Sequence, residues 1–160
     1  GRAEPAVERA ARMGDGLIAV GGPDLYDMYR NARAANGQAG KANIATFGWA
    51  YPAEDPGRAW EEVGPHAIYR SRNYADWYGT AADLESDRSW MGAVEAGVRT
   101  GTNANLFQTP DRTIADLQSM AALGVTSVLF FGTFPGLRPS ATIPYFEAMA
   151  KHVLPAVKDL

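Results

Sequence analysis

Apolar residues recur along the chain in two rhythms, and the rhythms alternate. Val7, Ala10 and Ala11 fall at helical spacing, with Glu8, Arg9 and Arg12 on the other side, which predicts a first helix over Pro5 to Met13. Pro5 suits a first turn and Gly14 suits a left-handed end. Leu17 to Val20 is a short, continuous apolar run bounded by glycines, as in a strand buried on both faces. A second helix follows, with Asp24 as its cap, Leu25, Met28, Tyr29, Ala32 and Ala35 along one face, and Asn36-Gly37 at its end. Asn43 to Tyr51 has the β-type content of a second strand, stopped by Pro52 and Pro56.

Gly57 to about Tyr78 reads as helix interrupted at Gly64-Pro65. Thr80 to Asn105 has no clean period and reads as an insertion, with one short helix around Trp90 to Val98. Thr109 caps the next helix, Pro110 takes its first position, and Ile114, Leu117 and Ala121 follow before Gly124. Val125 to Phe131 is a third, almost continuously apolar strand, followed by a Gly- and Pro-rich loop over Gly132 to Gly136. Pro144 to Val157 is the last helix, with Phe146, Met149, Ala150, Val153 and Leu154 expected inward and a kink at Pro155. Helices alternating with strands mean an α/β fold with parallel strands. The first helix has no strand before it, and three strands leave a sheet edge to be covered.

Composition narrows the function. The chain has 160 residues, 46% of them hydrophobic, enough for one sizeable core and one domain over residues 1–160. Its formal charge of −3 supplies no basic field for nucleic acid. It has no cysteine, which removes disulfides, thiolate catalysis and cysteine metal sites. There is no apolar run of about 18 residues for a membrane span and no signal peptide, so a cytoplasmic protein is expected. His66 and His152 make no metal motif. Glu61-Glu62, Asp83, Glu85 and Asp87 read as solvated acidic faces.

Gly1-Arg2-Ala3-Glu4-Pro5-Ala6, then Arg9-Ala10-Ala11-Arg12-Met13-Gly14-Asp15-Gly16, resembles a segment of the luciferase-like monooxygenases. Gln108-Thr109-Pro110-Asp111 with Leu123-Gly124-Val125 resembles the family's helix before strand eight, and His152-Val153-Leu154-Pro155 its closing helix. The resemblance implies a partial (β/α)8 TIM barrel, its C-terminal portion, running from just after strand five through strands six to eight. A full barrel needs about 250 residues. Leu17 departs from the aromatic that often follows the family's Gly-Asp-Gly turn.

In that family the cofactor is FMN or a deazaflavin of the coenzyme F-420 type. The resemblance implies that Gly1, Arg2 and Ala3 hold its phosphate at a helix N-terminus. Gly21 and Gly22 would leave room for the flavin ring or the substrate; a plain loop is the rival reading. The insertion, about 80–108, would lie over the site as a lid; the rival reading is that the aromatics of Trp60 to Trp90, with Tyr69, Tyr74, Trp77 and Tyr78 among them, bury against neighbouring helices. Trp49 and Tyr51 would line the pocket or serve as packing, with packing preferred. No catalytic residue is assigned. The expected function is the C-terminal portion of a flavin- or deazaflavin-dependent monooxygenase or oxidoreductase acting on a small molecule, and a homo-oligomer. The alternatives are a non-catalytic half-barrel that pairs with another chain or binds a small ligand, and an unrelated TIM-barrel enzyme sharing only the βα rhythm.

Overall fold

The structure is a computed structural model that describes residues 3–19, 22–48, 50–77 and 106–160. It is a mixed α/β fold: α1 (Glu4–Met13), β1 (Leu17–Ala19), α2 (Pro23–Ala35), β2 (Ile44–Gly48), β3 (Tyr51–Pro52), α3 (Pro56–Trp77), β4 (Phe107–Gln108), α4 (Pro110–Ala122), β5 (Ser127–Phe130), α5 (Pro139–Ala148), a π-helical turn (Met149–Val153) and α6 (Leu154–Val157). The predicted alternation and the parallel strands are both present. The chain divides into two compact units, Gly1–Gly48 with Ala115–Phe130 and Leu160, and Trp49–Ile114 with Phe131–Asp159.

The first unit carries a three-stranded parallel sheet in the order β1-β2-β5. Leu17 pairs with Ile44 and Ala19 with Thr46, while Thr46 pairs with Val128 and Gly48 with Phe130. This register sends Leu17, Ala19, Ile44 and Val128 to one face, where Val7 and Ala11 of α1 and Tyr26 and Tyr29 of α2 close the core. At about 1.5–3 kcal/mol for each large apolar side chain, this one-sided burial is the unit's main stabilisation. Ile18, Ala45, Phe47 and Leu129 point the other way. Ile18 is 54% exposed and Leu129 41%. The first strand was expected to be buried on both faces, and the structure corrects this: two helices cover one face, and among the described residues Ile18 and Leu129 stay exposed on the other.

Several boundaries also differ. Gly14 ends α1 in an extended conformation (φ −103°), not a left-handed one. Glycine is needed there because a Cβ would lie 2.9 Å from the Ala10 carbonyl oxygen. Gly22, not Asp24, caps α2, with Pro23 and Asp24 in its first turn. Its buried face uses Tyr26 as well as Tyr29, and Ala35 is exposed. Gly124 has φ +81°, as expected for the residue that ends α4.

In the second unit the predicted Asn43–Tyr51 strand is split. Tyr51-Pro52 leaves the first sheet and pairs with Phe107-Gln108 in a separate parallel ladder. Tyr51 N–H donates to Leu106 O, and Ala53 N–H donates to Gln108 O at 2.9 Å. The end of the expected insertion is therefore a buried strand; the rest of it, with the expected helix at Trp90 to Val98, lies outside the described residues. No break occurs at Gly64-Pro65: α3 continues through Pro65. The Glu61 carbonyl loses its usual donor, but Glu61 is exposed to water. The missing Cβ of Gly64 makes room for the Trp60 ring.

The last helix starts at Pro139, five residues earlier than predicted, with Pro144 inside it. Its inward residues are Ala141, Tyr145, Ala148, Met149 and Val153; Phe146, Ala150 and Leu154 are exposed, contrary to expectation. The π turn accounts for the difference. Leu154 N–H donates to Met149 O, five residues back, and this wider turn rotates less per residue. Val153 is thereby kept on the same side as Ala141 and Tyr145. Pro155, expected to kink the helix, sits in the first turn of α6, where its missing N–H costs least.

Candidate functional site

In a parallel α/β sheet, helix starts gather at the C-terminal ends of the strands, with their free N–H groups turned outward. Two such starts are described in the first unit. Ala3 is the N-cap of α1 (φ −76°, ψ 139°) and makes no side-chain cap; its carbonyl accepts the N–H groups of Ala6 and Val7. Gly22 caps α2, also without a side-chain cap, and a Cβ placed there would meet nothing within 4 Å. Both starts are exposed, so the backbone leaves room for an anion. Their first turns temper that: Pro5 and Pro23 remove one donor each, and Glu4 and Asp24 bring negative charge. Gly1, Arg2 and Gly21, the other residues singled out in the sequence, lie outside the described residues. Ala3 and Gly22 alone therefore do not form a phosphate cradle.

The second unit has a groove of about 840 Å³ between β3, the start of α3 and the last helix. Its apolar walls are Tyr51, Val63, Ala141 and Ala148, and its rim carries both charges, with Glu54, Asp55, Glu62 and Glu147 against Arg58 and Lys151, and the His152 imidazole beside them. His152 Nε2 lies 3.5 Å from Glu54 Oε1 across the rim. Asp55 Oδ1 accepts the Arg58 N–H at 3.0 Å and caps the start of α3. The sequence offered no sign of this groove, because Glu54 and His152 stand far apart in the chain. The His152 side chain is 36% exposed beside Glu54.

Beside the groove lies an aromatic cluster. The Tyr51 ring packs against Phe107 (5.4 Å between centroids), Phe134 (6.2 Å) and Tyr145 (5.0 Å). Tyr51 Oη donates to Ala141 O at 3.2 Å. Tyr51 is thus a packing residue, the reading preferred for it; Trp49 lies outside the described residues. Burial raises the Tyr51 hydroxyl above the ordinary phenol range, and the negative Glu62 adds to this. Burial, then the neighbouring Tyr51, pushes Tyr145 up to about 12. These are structural phenols that stay protonated at neutral pH.

His66 Nδ1 lies 2.9 Å from Pro135 O, which is satisfied if that nitrogen carries the proton and donates, so the imidazole ties a loop. Glu61 and Glu62 are exposed as expected, Glu62 lying 3.5 Å from Arg138. Asp83, Glu85 and Asp87 lie outside the described residues, as does nearly all of the segment read as a lid. Among the described residues no cluster of His, Asp and Glu could hold a metal ion, and no helix is long and apolar enough to cross a membrane.

Neither a protein-family profile nor a curated protein sequence matches the chain. Among solved structures the chain is similar to the monooxygenase RslO1 from Streptomyces bottropensis, with a TM-score of 0.67 and 21% sequence identity. The alignment covers 95% of this chain and 45% of that one, so the chain spans less than half the length of the structure it matches. At this identity the likeness shows the fold alone.

Proposed function

We propose that this chain is the C-terminal portion of a luciferase-like monooxygenase or oxidoreductase that uses FMN or a deazaflavin and acts on a small-molecule substrate. In this reading the three parallel strands belong to a (β/α)8 barrel whose other strands lie outside this sequence. One observation carries it. Among the described residues α1 and α2 close one face of the sheet, while on the opposite face Ile18 and Leu129 stay exposed, as in strands cut from a barrel. The near-complete alignment of this chain onto less than half of a longer monooxygenase supports the same reading.

The cofactor phosphate would meet the start of α1, with Arg2 offsetting the charge of Glu4 and with Gly1 and Ala3 supplying close backbone. Gly21 and Gly22 would leave space for the ring. The cofactor, when bound, supplies the redox chemistry. A second reading draws on the same open face: a non-catalytic half-barrel covered by another chain. Titration of the protein that carries this chain with FMN and with the deazaflavin, followed by flavin fluorescence, separates the two. Saturable binding of one cofactor, weakened about tenfold by Arg2→Ala, is expected. Binding of neither at about 1 mM would sink the flavin reading and favour the half-barrel.

A further inference from the structure

A smaller cavity, of about 280 Å³, lies in the first unit at the opposite end of the strands, where the chain enters β2 and β5. Arg30 and Arg33, one turn apart on α2, Lys41, and the glycines Gly40 and Gly124 line it, and no Asp or Glu does. The three cations are neutralised unequally. Arg30 Nη1 lies 2.6 Å from Asp27 Oδ1, and its Nη2 donates to Leu123 O. Arg33 is held by neutral acceptors, Gln38 Oε1 at 2.7 Å and Ala39 O at 3.3 Å, with its guanidinium 5.8 Å from the centre of the Tyr29 ring. Lys41 is exposed and has no carboxylate partner among the described residues.

Two positive charges therefore converge on one cavity with no carboxylate partner among the described residues, in a chain whose net charge is −3. The carbonyl ends of α2 and α4 favour cations nearby, but partial charges of this kind offset only part of two full charges. Arg33 is pinned at both Nη atoms, so its fork is already oriented. Gly124, at φ +81° and with its Cβ position 2.8 Å from Arg30 Nη2, lets that guanidinium lie against the backbone. We infer that this cavity, formed by Arg30, Arg33 and Lys41, is a binding site for a phosphate group, free or as a small phosphomonoester. It is separate from the strand ends assigned to the cofactor, and it stands whether or not the flavin reading does.

The test is calorimetric titration of the whole protein with inorganic phosphate and with glycerol 3-phosphate, ionic strength being matched with sodium chloride. One saturable site with a Kd of about 1 mM or tighter is expected. Lys41→Gln, which removes an exposed charge without a packing role, should weaken it about fivefold, and Arg33→Lys, which keeps the charge and loses the fork, by a similar factor. Tighter binding of the ester would identify an organic ligand, and equal binding free phosphate; both support the site. No saturation at about 50 mM phosphate would overturn it and leave the cations as caps of helix carbonyls. Unchanged affinity in Lys41→Gln would also overturn it, placing the bound phosphate elsewhere. If Arg33→Lys fails to fold, the Lys41 variant still decides.

Discussion

The Tyr51 and Tyr145 rings pack at a tilt, 5.0 Å between centroids, in the second unit, and both hydroxyls are harder to ionise than a free phenol. A phenol whose pKa rises on folding holds its proton more tightly in the native state. Its contribution is fully present below the unfolded value of 10.0 and is lost as pH climbs through 10 toward the native value of about 12. Unfolding monitored between pH 7 and 11 should therefore show stability level to about pH 9 and falling above it, with Tyr145→Phe flattening much of the fall. A slope unaltered by that variant would mean that other groups control alkaline unfolding. Tyr51→Phe should behave differently. It removes the hydrogen bond to Ala141 O and should cost about 1 kcal/mol at neutral pH, where Tyr145→Phe is close to neutral. Little of this was legible beforehand. Tyr51 could be read as an aromatic on a strand, but its partners Phe107, Phe134 and Tyr145 come from distant parts of the chain, and no local period links them.

The elements were more legible than their ends. Helices whose apolar residues recur at three and four, such as α1 and α4, stand where the pattern puts them. Misreadings cluster where proline and glycine were taken as punctuation. Pro65 and Pro144 both sit inside helices, because the carbonyls they leave without a donor belong to the exposed residues Glu61 and Ser140. Gly64 shows the other side of the same point. Replacing a helix-interior glycine with alanine ordinarily gains up to about 1 kcal/mol. In α3 the new Cβ would run into the Trp60 ring, which packs edge-on to Phe107 at 5.9 Å. Gly64→Ala should therefore be a net loss of about 1–2 kcal/mol in denaturant unfolding, since overpacking outweighs propensity. A stabilised variant would show that the ring swings aside freely. The π turn was beyond sequence reasoning altogether: nothing in Met149–Val153 announces it, although it keeps Val153 buried.

At the scale of the whole molecule, what matters is the sheet face that α1 and α2 do not cover. Three strand-then-helix alternations were readable from the chain, and the parallel pairing of β1, β2 and β5 agrees with them. Whether both faces of that sheet would be buried could not be read, because a continuous apolar strand looks the same whether its second face is covered by its own chain or by another segment. Two leucines of nearly equal exposure allow a test. Leu129 points from the open face and is 41% exposed; Leu123 follows α4 and is 43% exposed. If the open face were an ordinary surface, Leu129→Gln and Leu123→Gln would each change stability within about 0.5 kcal/mol. If the strands belong to a barrel, as proposed, Leu129 is interior in the complete protein, and glutamine there loses apolar burial and leaves an amide without partners. Thermal unfolding of the complete protein should then show Leu129→Gln destabilised by at least about 2 kcal/mol while Leu123→Gln stays near the parent. Equal, small shifts for the two variants would mean that nothing covers the sheet, and the barrel reading would fall with them.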